Sequence, residues 1–291
     1  MELLQGLSFL ERGIAAGLMI GLIAPVVGAF LLVRRMTIIS EGLSQVTLTG
    51  IATGVLMNQT MVWTEGINPL YTGFFFALIG SLVVERLRTV YKHFQELAIP
   101  VILSAGLGMS AILISSSGVS NTEWFNFLFG SIITVSAGDL LFIFIAGAAG
   151  LMILGLFYKE WLSISFDAEF AYTTGISVKW MNFLFAVLIA LVISMSISVV
   201  GVLLVGALVT LPVASSLQLA NSFRQVILYG ILFGEGAVIL GVIGSYYLNI
   251  ATGGMIVVTG IILLFAAAGM KKVIHRCKRK SYLARLKEAS S

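Results

Sequence analysis

Nine long apolar runs, roughly 13–33, 40–63, 70–84, 97–116, 138–158, 180–197, 199–213, 225–247 and 253–270, take up most of this 291-residue chain. In hydrocarbon no water is available to satisfy backbone N–H and C=O groups, so such runs must close their hydrogen bonds internally as helices. A helical span needs about 20 apolar residues, fewer where protein surrounds it. Charged residues make up 10% of the chain, against about 25% in a soluble domain, and the mean hydropathy is +1.06. The fold class expected is therefore all-α, a polytopic membrane helix bundle of about eight or nine transmembrane helices. Residues 1–270 form the transmembrane domain and 271–291 a basic cytoplasmic tail. The sixth and seventh runs are short and share Met181 to Pro212, so a broken or re-entrant helix there is the alternative.

Charge orients the bundle. With the N-terminus outside, every Lys and Arg of the 17 except Arg12 falls in an inner connection or in the tail, as the cytoplasmic bias of basic residues requires. Trp63, Trp124, Trp161 and Trp180 all fall at span ends, where amphipathic rings favour the headgroup level. The first run follows Glu2 and Glu11 with no basic leader, and so reads as a span rather than a cleaved signal. Outer connections are short, and Gly118 to Gly130 has room for one interfacial helix. Capture of a dilute solute would then fall to another polypeptide. The tail groups Lys271, Lys272, His275, Arg276, Lys278, Arg279 and Lys280, which suits anionic inner-leaflet lipid and not nucleic acid. The single Cys277 excludes an intrachain disulfide.

Ionisable groups inside spans are costly and mark ion or substrate paths by default. Two acids lie well inside, Glu41 and Glu235, with Asp139 at a span edge. Glu41 and Gln45 stand one helical turn apart on one face, which Thr49 and Ala52 continue. Two copies of that face about a two-fold axis would offer four oxygen-bearing side chains to one cation, a set suited to hard ions such as manganese. Glu41 also lies six residues past Arg35 and could instead pair with it near the headgroups. Glu235, with Thr49, is assigned to the translocation path. Met57, Met61 and Met195 read as packing. Gly13/Gly17/Gly21, Gly50/Gly54 and Gly230/Gly234 are small-xxx-small steps that let helices approach closely.

The chain has no Gly-Lys dipeptide, hence no phosphate-binding G-x-x-x-x-G-K-[ST] loop, and both histidines, His93 and His275, lie outside the spans. No catalytic residue is assigned; the chain is not expected to be an enzyme. Two inner segments read as docking surfaces, Ser165 to Ile176 with Asp167 and Glu169, and Leu211 to Arg224. In the second, Pro212 is expected to close a span. Ala214, Ser215, Leu217, Leu219 and Phe223 would then follow on a short amphipathic helix that enters a partner's groove.

Gly28 to Met36, Phe166-Asp167-Ala168-Glu169 through Gly175, Val200 to Leu208, Leu211-Pro212, Ser245-Tyr246-Tyr247 and Thr252-Gly253-Gly254, in that order and spacing, resemble the permease family of metal-type ABC importers. These are bacterial membrane subunits for zinc, manganese or iron(II), and the resemblance covers nearly the whole chain. It implies a type II ABC importer-like fold and a homodimer in the bacterial cell membrane. Two copies of an ABC ATPase that bind the ATP, and an extracytoplasmic metal-binding protein, are the other implied partners. It implies no bound cofactor, only a transported divalent metal, and makes the segment after Pro212 the coupling helix. The family's metal pair in the second span is Asp and His four residues apart; Glu41 and Gln45 stand there in this chain. Loss of the imidazole leans away from a zinc-specific site. Two alternatives stay open: a secondary transporter using Glu41 and Glu235 as ion-coupling sites, and an ATPase-coupled permease for a non-metal substrate.

Overall fold

The computed structural model describes residues 8–60, 68–90, 98–118, 121–132 and 134–289. Its regular elements are all helices: α1 (Phe9–Val33), α2 (Ile39–Thr60), α3 (Pro69–Val90), α4 (Ala98–Ser116), α5 (Asn121–Phe129), α6 (Ala137–Leu156), α7 (Tyr158–Phe166), α8 (Ala168–Thr173), α9 (Val178–Val200), α10 (Val205–Leu219), α11 (Phe223–Leu248) and α12 (Thr252–Ala289). Eight of the nine apolar runs fall mainly on one helix each, whereas the seventh, 199–213, is divided by the break at Gly201 between α9 and α10, the broken arrangement kept open for that segment; α5 supplies the short helix expected between Gly118 and Gly130. Seven (α1, α3, α4, α6, α9, α11 and α12) are long and apolar enough to cross a membrane. The other two are α2, long but rich in Ser, Thr and Gln, and α10, which is 15 residues long.

Local sequence sets the helix ends. Ser8 and Glu11 form a reciprocal capping box at α1, and Ser136 with Asp139 forms another at α6. Each satisfies two N–H groups that a helix start leaves without an intrahelical acceptor. The α9–α10 break falls at Gly201, whose φ of 85° lies in the left-handed half that glycine enters freely. A Cβ there would strike the backbone of Gly130 and Leu128. Val202 and Leu203 then donate their N–H groups to Phe127 and Leu128 carbonyls at 3.0 and 3.2 Å. The α5 backbone thus satisfies an irregular turn.

Helices α1 and α9 form the centre: 72% of each apolar window is buried, against 17% for α4. On one flank α2 packs between α3 and α4; on the other, α10, α11 and α12 pack together, with α1 against α10 and α11. The small-residue steps carry these crossings. A Cβ on Gly50 would stand 2.6 Å from Phe76 Cβ and 2.7 Å from the Thr72 carbonyl oxygen, and one on Gly234 would stand 2.6 Å from the Gly21 carbonyl oxygen.

Connections meet at two ends of the bundle. At one end Arg34, Glu85, Ser165 and Asn182 share hydrogen bonds, Phe166 touches Phe223, and Lys271 donates to Gln218. At the other, Asn68 donates to Asp139, and Gly253 closes on the carbonyls of Val200 and Phe129.

Two expectations are corrected. Pro212 does not close a span: it lies inside α10, which runs on to Leu219. The reason is tertiary packing. Gly28 lets α10 approach α1 at Val209 and Val213, and Val213 is buried with Ala29 and Val226. The tryptophans also do not form a headgroup belt. Trp161 is fully enclosed, donating Nε1–H to the Met181 carbonyl at 3.1 Å, edge-on to Phe30 and Phe185. Trp124 is buried as well, Trp180 alone of the described three is exposed, and Trp63 lies outside the described residues.

Candidate metal site

Helix α2 carries more polar side chains than the other long helices at membrane depth, and most satisfy themselves. The hydroxyls of Ser44 and Thr47 donate to the carbonyls of Ser40 and Leu43, both at 2.7 Å, four residues back. Thr49 donates to the Gln45 carbonyl at 3.1 Å and, across the helix pair, to the Gly106 carbonyl at 2.9 Å. Such back-bonding removes a hydroxyl from the list of groups seeking a partner, so Thr49 pins α2 to α4. Gly106 makes the contact close: a Cβ there would stand 2.9 Å from the Gln45 carbonyl carbon.

Two groups stay available. Among the described residues neither the Glu41 carboxylate nor the Gln45 amide takes a hydrogen bond or ion pair, so the alternative Glu41–Arg35 pair does not form. Gln45 is buried and Glu41, in the first turn of α2, is exposed on the single chain. The Glu41 side chain lies over α10: a Cβ at Gly206 would stand 2.5 Å from its Oε2. Gly206 is a neighbour of this candidate carboxylate that the linear sequence does not mark. A glycine beside Val205 carries no signal of which helix it will meet.

Glu235 lies elsewhere. It sits on α11 against α1, its carboxyl carbon 3.5 Å from where a Gly21 Cβ would be, with Oε2 buried and without a hydrogen-bond partner among the described residues. The two acids face different helices and are not brought together. Nor do three His, Cys, Asp or Glu side chains gather anywhere among the described residues. One chain therefore offers a carboxylate and an amide, short of the six or so oxygens a hard divalent ion takes.

The expected docking residues divide. Pro212 and Ser215 are buried, Ala214 and Leu219 are half-buried, and Phe223 turns inward with its ring 5.2 Å from Phe30. Leu217 stays exposed. Asp167 is an N-cap, accepting from the N–H groups of Glu169 and Phe170 at 3.0 and 2.9 Å, and so starts α8. Around it Phe166, Phe170 and Tyr172 are 67%, 60% and 74% exposed, with Glu169 exposed between them.

A bundle built this way, with seven helices long and apolar enough to cross a membrane and one polar helix threaded among them, is that of a polytopic membrane protein. The chain belongs to the ABC 3 transport family, whose model matches residues 6–271. The manganese transport system membrane protein MntC of Listeria monocytogenes is 28% identical over 92% of this chain and 93% of its own length. The manganese import system permease protein ScaB of Streptococcus parasanguinis is 30% identical, over 94% and 95%. Among solved structures, a chain of PsaBC from Streptococcus pneumoniae in complex with Fab superimposes with a TM-score of 0.78. It is 28% identical, and the match covers 91% of this chain and 92% of that one.

Proposed function

We propose that this chain is the permease subunit of an ATP-driven importer of divalent metal ions, with manganese as the ion. It would work as a homodimer in the bacterial cell membrane, bound to two ABC ATPase subunits and fed by an extracytoplasmic metal-binding protein. The observation that carries the reading is Glu41: a carboxylate in the first turn of a helix threaded through the bundle, exposed on the single chain and without a partner among the described residues. Lipid is a poor neighbour for such a group, so its surroundings in the assembly are a second polypeptide or a wet path. A two-fold axis at that face brings together two Glu41 and two Gln45 side chains. Their oxygen donors favour a hard ion, and relatives at 28–30% identity bear manganese in their names.

Transport then follows by alternating access. Glu41 binds the ion by charge, Gln45 orients it through its amide oxygen, and Thr49 fixes the helix that carries both. ATP closes the ATPases, and the two permease copies rock about the shared site. The orientation proposed is N-terminus outside, with the Arg34 end of the bundle cytoplasmic and the basic residues past 270 beside the inner leaflet. The ATPase docks on Asp167, Glu169, Phe166, Phe170 and Tyr172, with Leu217 nearby, since these side chains are exposed there and three of them are large aromatic rings. The test is manganese uptake into cells lacking their own importer. Wild type should restore uptake, and Glu41→Gln should abolish it while the complex still assembles. Undiminished uptake by Glu41→Gln removes the site.

A further inference from the structure

At the proposed cytoplasmic end a hydrogen-bonded cluster centred on Arg34 ties four helices, three through Arg34 itself and the fourth through Asn182. Arg34, the C-cap of α1, donates through Nε to Ser165 Oγ of α7 at 3.0 Å and through Nη1 to Asn182 Oδ1 of α9 at 3.2 Å. Ser165 in turn donates its hydroxyl hydrogen bond to the Trp161 carbonyl at 2.6 Å, and Asn182 donates through Nδ2 to Glu85 Oε1 of α3 at 3.1 Å. The amide orientation is fixed by its neighbours, since only Oδ1 toward the guanidinium and Nδ2 toward the carboxylate satisfies both. The guanidinium carbon lies 4.3 Å from the centre of the Phe185 ring, within cation–π range. A planar fork that stacks and donates in two directions is specific to arginine.

What Arg34 joins gives the cluster its meaning. Ser165 is next to Phe166, the first of the exposed aromatic side chains of the docking surface. On the other side Arg34 opens the turn into α2, where Arg35 sits at φ 54°, left-handed backbone that a side-chain-bearing residue adopts at a cost. Six residues beyond that turn is Glu41. A cavity of about 40 Å³ borders the cluster, lined by Arg34, Met36, Ser81, Glu85 and Asn182 among others, so its side chains have room to re-pair. A tied element with room to change partners, next to a strained turn, can hold two discrete arrangements and carry coupling between sites.

We propose that Arg34 is a positioning residue that couples the docking surface on α7–α8 to the ion-binding face of α2: displacement of α7 by the motor is passed through Ser165 and Arg34 to the turn that sets where Glu41 stands. This rests on the importer reading above. The test uses the full complex of permease, ATPase and binding protein in proteoliposomes, with three readouts: subunit co-purification, ATPase rate with and without manganese-loaded binding protein, and manganese ions moved per ATP. Arg34→Gln should co-purify and hydrolyse ATP, yet ions moved per ATP should fall by about two- to thirtyfold, the range that interior coupling residues span. Ser165→Ala, which leaves the cation in place, should lower the same ratio by less, and Arg34→Lys should restore it only in part. An unchanged ratio in Arg34→Gln overturns the assignment. Should that variant fail to assemble, an unchanged ratio in Ser165→Ala overturns it equally. A wild-type complex whose ATPase ignores manganese overturns the importer reading itself, a result distinct from a coupled wild type with equally coupled variants.

Discussion

The decisive contact at the residue scale is between Glu41 and Gly206. Replacing Gly206 with Ala puts a Cβ 2.5 Å from the present Glu41 Oε2; the carboxylate, at the end of a flexible side chain, must move while the backbones need not. Gly206→Ala should therefore purify as wild type, while manganese uptake falls by about tenfold, the equivalent of about 1.4 kcal/mol of lost binding. Initial uptake rates at several manganese concentrations check this, and an unaltered concentration dependence would count against it. The sequence marks Glu41 and Gln45 as candidates because an acid and an amide one turn apart in an apolar run are costly to bury without a role. Thr49 was legible only as a member of that face. Its hydroxyl is engaged with two carbonyls, which depends on α4 lying alongside and so is invisible in a linear pattern. Gly206 and the partners of Arg34 were missed for the same reason.

Elements were easier to read than their continuations. Twenty-residue apolar runs fix where spans lie, because hydrocarbon leaves the backbone one solution; eight of the nine fall mainly on one helix each, and only the run 199–213 is cut, by the turn at Gly201. Pro212 misled because a proline costs a helix one hydrogen bond locally, whereas the burial of Val213 and Ser216 that carries α10 onward is tertiary. Two tests belong here. Gly54→Leu would drive a side chain into Thr72 and Pro69 of α3 and should destabilise the bundle by about 1–3 kcal/mol, as overpacking does, seen as a lower unfolding temperature in detergent. Phe170→Glu with Tyr172→Glu should weaken ATPase binding by at least about tenfold, since exposed aromatic anchors carry interface energy, while Ser215→Ala, a buried position, leaves it unchanged. Co-purification measures both, and retention by the double variant would move the docking site.

At the scale of the whole molecule, the proposed orientation puts the basic connections in the cytoplasm. With Cys277 changed to Ser, a single Cys at Thr173 should be shielded from a membrane-impermeant maleimide in intact cells, and one at Asn249 should react; the reverse pattern would invert the bundle. Trp161, sealed among Phe30, Phe157 and Phe185 with its indole N–H spoken for, gives such experiments an internal lamp. A variant keeping it as the sole indole should emit toward the blue and resist iodide quenching. Because the ring sits one helical turn from Ser165, any stroke of the motor that shifts α7 should register as a change in its colour before a single ion has moved.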